Sequence, residues 1–193
     1  MAITEEAALA SAVVAGEVCM PISVTEQVEF CYARGWTDGL PVVPATAEPV
    51  AAMLEAAALR PDAVLAEMPS RNVVLTAEKV AINAVMAGCK PEYMPVIAAA
   101  VKALGAPEFG LHHVASGHSG ATIIVLVNGP IAARLGINST NNVFGPGVRA
   151  NATIGRAVRV MILNLGGAKP NERDKGPLGH PGRFSYCIGE DEE

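Results

Sequence analysis

Ala121-Thr122-Ile123-Ile124-Val125-Leu126-Val127, closed by Asn128-Gly129-Pro130, is the stretch on which the fold class turns. Its β-branched residues are stiff at χ1 and favour extended backbone, and the Asn-Gly-Pro sequence ends the run. A short, continuously apolar run of this kind reads as a strand buried on both faces. Leu111 to Ala115 reads as a second strand.

Outward from these runs the pattern is helical. Toward the amino terminus, residues 5 to 15 are Ala-rich, with Thr4 as a cap and Gly16 as a stop. Ser23-Val24-Thr25-Glu26 has capping-box spacing ahead of Val28, Cys31 and Tyr32, and that helix should stop near Arg34-Gly35. Gly35-Trp36-Thr37-Asp38-Gly39-Leu40-Pro41-Val42-Val43-Pro44 is a turn followed by an extended run, since its two prolines forbid a helix. Further helices are expected over residues 47 to 58, from Thr76 to Ala87 with Gly88 as the stop, and from Pro91 to Leu104. Beyond the strands, residues 131 to 135 form a short helix and residues 149 to 165 a long one, whose stripe is Ile154, Ala157 or Val158, Met161 and Leu165. The expected fold is therefore α/β, a small sheet covered by helices in one compact domain over residues 1–168. Residues 169–193, rich in Gly, Pro and charge, should form an extended tail, partly mobile unless a partner holds it.

Composition narrows the function. The chain of 193 residues is 51% hydrophobic and 17% charged, so it carries enough apolar surface to fold. One Trp, three Tyr and four Phe are too few for a base-stacking platform, and a net charge of -5 argues against a nucleic-acid binder. Glu17, Asn83 and Asn164 interrupt the longest apolar candidates for a membrane span, and Met1-Ala2-Ile3-Thr4-Glu5-Glu6 lacks a basic leader, so a cytoplasmic protein is expected. Cys19, Cys31, Cys89 and Cys187 are widely spaced and form no CxxC pair, as befits reduced, packed thiols.

The charge is unevenly placed. From Phe109 through Asn171 there is no Asp or Glu, against Arg134, Arg149, Arg156, Arg159 and Lys169. Such a stretch faces a small anion or an acidic partner, or else its arginines pair with the acidic first half of the same chain.

Several residues are candidates for chemistry. Asn138, Asn142, Gly145, Gly147, Arg149, Asn151 and Arg156 belong to an amide- and glycine-rich loop and the helix start that follows it, where free N–H groups and arginines would hold an anion. The alternative is a capped helix with a glycine-rich leading loop. No Walker loop, dinucleotide fingerprint or G-x-S-x-G elbow is present. His112, His113 and His118 are candidate ligands for a divalent metal, and His118 is also a candidate acid or base; a hydrogen-bonded structural role is the alternative for each. Asp38 is either a catalytic carboxylate or an ordinary Asp-Gly turn residue. Cys89, between a helix stop and a helix start and beside Lys90, is a candidate low-pKa thiol that would react ahead of Cys19 and Cys31, or else a packed one.

Four segments together resemble a bacterial family: Gly35 to Pro44, Ala81-Ile82-Asn83-Ala84-Val85-Met86-Ala87-Gly88-Cys89-Lys90-Pro91-Glu92-Tyr93, Val127-Asn128-Gly129-Pro130, and Arg149-Ala150-Asn151-Ala152-Thr153-Ile154-Gly155-Arg156. This is the family associated with UGSC-motif (seleno)proteins, in which a Sec- or Cys-Gly-Ser-Cys motif lies on an accompanying domain or chain. The resemblance covers most of residues 24 to 190. This chain has no Cys-Gly-Ser-Cys, and members of the family continue past the segment that matches Glu190 to Glu193. The resemblance thus implies a partner subunit.

The combined expectation is a subunit of a hetero-oligomeric enzyme, redox or lyase in class, acting on a small organic anion. Asp38, Cys89 and His118 would do the chemistry and the partner would supply the remaining groups. The rivals are a non-catalytic subunit that docks a UGSC-type redox partner, and a self-contained metal-dependent lyase or hydratase.

Overall fold

The computed structural model describes residues 23–111, 120–170 and 172–192. The expected helix over residues 5 to 15, Cys19, and the three histidines His112, His113 and His118 lie outside the described residues.

Local signals place the helices. Helix α1, Val24–Ala33, opens with the expected box: Glu26 N–H donates to Ser23 Oγ at 3.2 Å, and Ser23 N–H donates to Glu26 Oε2 at 3.0 Å. It stops at Arg34, where Gly35 takes the left-handed φ of 68°. Helix α2, Ala47–Ala56, ends before Ala58 because that residue is itself left-handed. Helix α3, Ala77–Met86, is capped by Thr76, whose Oγ1 accepts from Lys79 N–H. A 3-10 turn at Pro91–Tyr93 precedes helix α4, Met94–Leu104, so Pro91 opens a tight turn and not the α-helix itself. The second half holds α5, Pro130–Leu135, and α6, Arg149–Asn164.

Two small sheets complete this α/β fold. Strands β1, Val64–Met68, and β2, Val73–Thr76, form an antiparallel hairpin with a register shift near Val64. Strand β3, Val125–Val127, pairs in parallel with β4, Cys187–Gly189, in the register Val125 to Cys187 and Val127 to Gly189. Helix α6 packs against α3, α4 and β4, and α2 packs on α3. Met53, Leu75, Met94, Ile97, Ile154 and Met161 are the largest wholly buried side chains. Asn83 and Asn164 cross this core as a polar strut: Asn164 Nδ2 donates to Asn83 Oδ1 at 2.9 Å and to Trp36 O at 3.2 Å.

Two expectations about strands need correction. The run over residues 121 to 127 is not buried on both faces: Val125 and Val127 join the core while Ile124 and Leu126 are about half exposed. The physical reason is the two-stranded sheet, which has its core on one side only. Leu111, expected to open a strand, is helical and buried, and residues 112 to 115 of that expected strand lie outside the described residues.

The tail segment also differs from an extended, loosely held chain. It returns to the domain through a 3-10 turn at Pro181–Arg183 and the strand β4. Gly155 in the middle of α6 allows the approach, since a Cβ there would overlap the Tyr186 amide. Among the described residues no helix is long and apolar enough to cross a membrane.

Candidate functional site

The Gly35 to Pro44 turn is docked on α6 by one ion pair. Within the turn, Thr37 Oγ1 accepts from Gly39 N–H at 3.1 Å and donates to Leu40 O. Asp38 Oδ1 accepts from Leu40 N–H at 3.3 Å. Arg156 then reaches across from α6: its Nε donates to Asp38 Oδ2 at 2.8 Å and its Nη2 to Oδ1 at 2.8 Å, in the bidentate geometry that suits a guanidinium and a carboxylate. Arg156 Nη2 also donates to Pro41 O at 2.8 Å and Leu40 O at 3.3 Å. Burial pushes the Asp38 carboxyl up, but Arg156 and the turn's N–H groups more than offset it and hold Asp38 below its ordinary value. Asp38 is therefore an anchoring carboxylate with its charge already matched. Of the two readings of Asp38 these bonds fit the turn residue, and Arg156, expected at an anion site, is paired here with Asp38.

The Cys89 thiol is buried and donates to Thr153 O at 3.2 Å. Burial pushes it up to about 12, outweighing that hydrogen bond and the nearby Arg149 and Arg156 charges. Cys187 is likewise pushed up to about 12 by burial, with Cys89 nearby adding to the effect. Lys90 turns to Glu92 at 3.5 Å. A thiol so placed fits the packed-residue alternative.

The amide-rich loop is held by its own side chains. Asn151 is buried, with its Oδ1 accepting from Asn138 N–H at 2.8 Å and its Nδ2 donating to Asn138 O at 3.0 Å. Asn138 Oδ1 in turn accepts from Thr140 N–H at 3.1 Å, and its Nδ2 donates to Asn141 O at 3.0 Å. Both asparagines are thus spent on shaping the loop. Asn142 is left-handed at φ 56° and lies against Gly145, Gly147 is left-handed at φ 123°, and Asn142 and Gly147 are exposed. Arg149 lies on the Gly88 carbonyl, donating from Nε at 3.1 Å and Nη2 at 2.9 Å. These residues form the lead into α6, and none of them lines the cleft described next.

That cleft, of about 800 Å³, lies between α6 and the returning tail. Its charged lining is Asp38, Arg159, Asp174, Lys175 and Arg183, with His180 beside them and an apolar remainder that includes Leu163, Pro181 and Phe184. Its volume and mixed lining are those of a small-molecule site. Asp174 is shared. Arg183 Nη1 donates to its Oδ2 at 2.5 Å, while Arg159 Nη2 reaches the same oxygen at 3.3 Å. Burial pushes Asp174 up, but its arginines and the Gly176 N–H pull it below its ordinary value. Burial holds Arg159 below its ordinary value, with Arg183 adding to that and Asp174 opposing it.

Comparison of the chain with family models, curated proteins and solved structures gives no match.

The site consequently rests on its own geometry, and that geometry separates the three arginines of α6. Arg156 is engaged through Nε and Nη2 by Asp38 and two carbonyls. Arg149 is satisfied by a carbonyl. Among the described residues Arg159 makes two long bonds, to Asp174 and to Ala168 O at 3.4 Å, both from Nη2. Its Nε and Nη1 donate no hydrogen bond among the described residues, although its side chain is only 17% exposed. Sequence reasoning saw Arg159 only as one charge in a basic run, and missed Asp174, His180 and Arg183 because the glycines and prolines around them read as an extended tail. The available signal was Phe184-Ser185-Tyr186-Cys187-Ile188, an alternating strand pattern inside that tail. Among the described residues no group of His, Cys, Asp or Glu is arranged to hold a metal.

Proposed function

We propose that this protein is an enzyme subunit that holds a small organic carboxylate in the cleft between α6 and the tail, with Arg159 as the anchor. The observation that carries this reading is the incomplete neutralisation of Arg159. It is a mostly buried guanidinium at the wall of a cleft, the carboxylate it bonds is held more closely by Arg183, and two of its donor nitrogens make no hydrogen bond among the described residues. A cation that is mostly out of water and only weakly paired gains most from an incoming anion. The apolar lining would receive the hydrocarbon part of such a ligand.

The same lining supports a role shared with a second chain. The carboxylates in the cleft are both matched by arginines, and Cys89 and Cys187 are packed thiols, so the described residues offer binding groups more readily than a nucleophile. Leu178 and Phe184 are exposed at the cleft, 97% and 52%, where a partner surface would close it. The resemblance to the UGSC-associated family adds support from sequence, since there the reactive motif lies on an accompanying domain or chain.

The test is calorimetric titration of the chain with 3-phenylpropionate, a carboxylate with an apolar body. Arg159→Gln is expected to weaken binding about ten- to hundredfold, the value of a hydrogen bond to a charged group, whereas Arg149→Gln leaves it unchanged. The reverse outcome would move the anion to the start of α6 and overturn this reading.

A further inference from the structure

We infer that the carboxylate this cleft takes carries a second, uncharged acceptor oxygen, as in an oxo or hydroxy acid, and that His180 is the residue that recognises that oxygen. This rests on the reading of Arg159 as the carboxylate anchor and adds what the ligand presents beside it.

His180 lines the cleft and is exposed there. Its Nδ1 accepts the Gly182 N–H at 3.0 Å, which caps the 3-10 turn at Pro181–Arg183. A ring nitrogen that accepts a hydrogen bond carries no proton, so the neutral imidazole holds its proton on Nε2. The ring is also held in place from its face. It stacks on Tyr186 with centroids 5.9 Å apart and planes 19° apart, and Tyr186 is met edge-on by Phe144 at 5.5 Å.

These contacts fix the chemistry of the exposed nitrogen. For Nε2 to accept a proton from a ligand, the neutral ring would have to carry its own proton on Nδ1, where it would confront the Gly182 N–H and leave the turn uncapped. His180 therefore presents a donor and not a base. A neutral N–H donor in the cleft that Arg159 also lines matches a carbonyl or hydroxyl oxygen on a carboxylate ligand better than it matches a second full charge. Leu163, Pro181 and Phe184 are left for the carbon skeleton. A site built to hydrogen-bond a ligand oxygen discriminates against the analogue that lacks it, because the donor is then left without a partner.

The experiment compares two matched pairs by titration calorimetry: phenylpyruvate against 3-phenylpropionate, and 3-benzoylpropionate against 4-phenylbutyrate. Each is measured on the wild type and on His180→Asn, whose amide oxygen can still accept from Gly182 while the Nε2 donor is gone. At least one oxygenated acid should bind about fivefold tighter than its partner, the worth of one neutral hydrogen bond, and His180→Asn should abolish that preference while leaving the plain acids unaffected. Equal affinities within both pairs, or a preference that survives in His180→Asn, would overturn the inference while leaving Arg159 as anchor. Failure of all four acids to bind would overturn the Arg159 reading and this one with it. If His180→Asn does not fold, proton–nitrogen correlation spectra of the wild-type imidazole decide: a neutral ring protonated at Nε2 supports the inference, and one protonated at Nδ1 or divided between the two nitrogens overturns it.

Discussion

Replacing Arg156 by Ala isolates a carboxylate that the fold has taken out of water. The Asp38 side chain is 3% exposed and that of Arg156 15%, so neither partner of the pair is well hydrated. Removing one partner of a buried pair costs about 3–5 kcal/mol, most of it the penalty of the charge left behind. Two carbonyls, Leu40 O and Pro41 O, lose a donor in the same change. For a chain of this size each kcal/mol shifts the melting temperature by about 2–4 °C, so a fall of roughly 10 °C is expected. The pH dependence gives the sharper readout. In the wild type Asp38 is held below its ordinary value, so its contribution is complete above the unfolded carboxylate value of about 3.9 and is lost as pH falls through the depressed folded value. In Arg156→Ala burial acts without the arginine, the folded Asp38 value rises, and protonation relieves the strain. The penalty should therefore be largest at neutral pH and shrink on acidification. Urea unfolding followed by circular dichroism at several pH values measures it, and Asp38→Asn combined with Arg156→Ala should be less damaging than Arg156→Ala alone. A penalty below about 1 kcal/mol, as for an exposed pair, or one that is the same in acid and at neutrality, would refute the buried-anchor account.

Cys89 and Cys187 should resist iodoacetamide in the native protein and react only once denaturant opens the core, because burial pushes both thiols up to about 12; mass spectrometry of the labelled peptides reads this directly, and rapid native labelling of Cys89 would restore it as a nucleophile. Asp174→Asn should move stability and binding in opposite directions. It removes the carboxylate that ties Arg183 of the tail to Arg159 of α6, lowering the melting temperature, while freeing positive charge in the cleft and tightening 3-phenylpropionate binding severalfold. Weaker binding in that variant would place Asp174 among the groups that orient the ligand.

The sequence by itself determined most of the helices, because their signals are local. The Ser23 to Glu26 box, the Thr76 cap, the glycines at residues 35 and 88 and the stripe of α6 each act within a turn or two of chain, and each stands where its spacing put it. It also determined that the acid-free stretch would have to answer its arginines somehow. Only the tertiary structure decided how: Arg156 with Asp38 from the first half, Arg149 with a carbonyl, and Arg159 loosely with Asp174 from the tail. Arg149, Arg156 and Arg159 lie on one helix and carry one charge each, so nothing in their spacing distinguishes them; what does is which distant segment each meets. The same holds for β4, whose three residues become a strand only because β3 is there to pair with, and whose return shapes the cleft. Helix caps and apolar stripes are set by neighbours in sequence, whereas charge neutralisation and parallel strand pairing are set by neighbours in space, and the candidate site is made of the second kind.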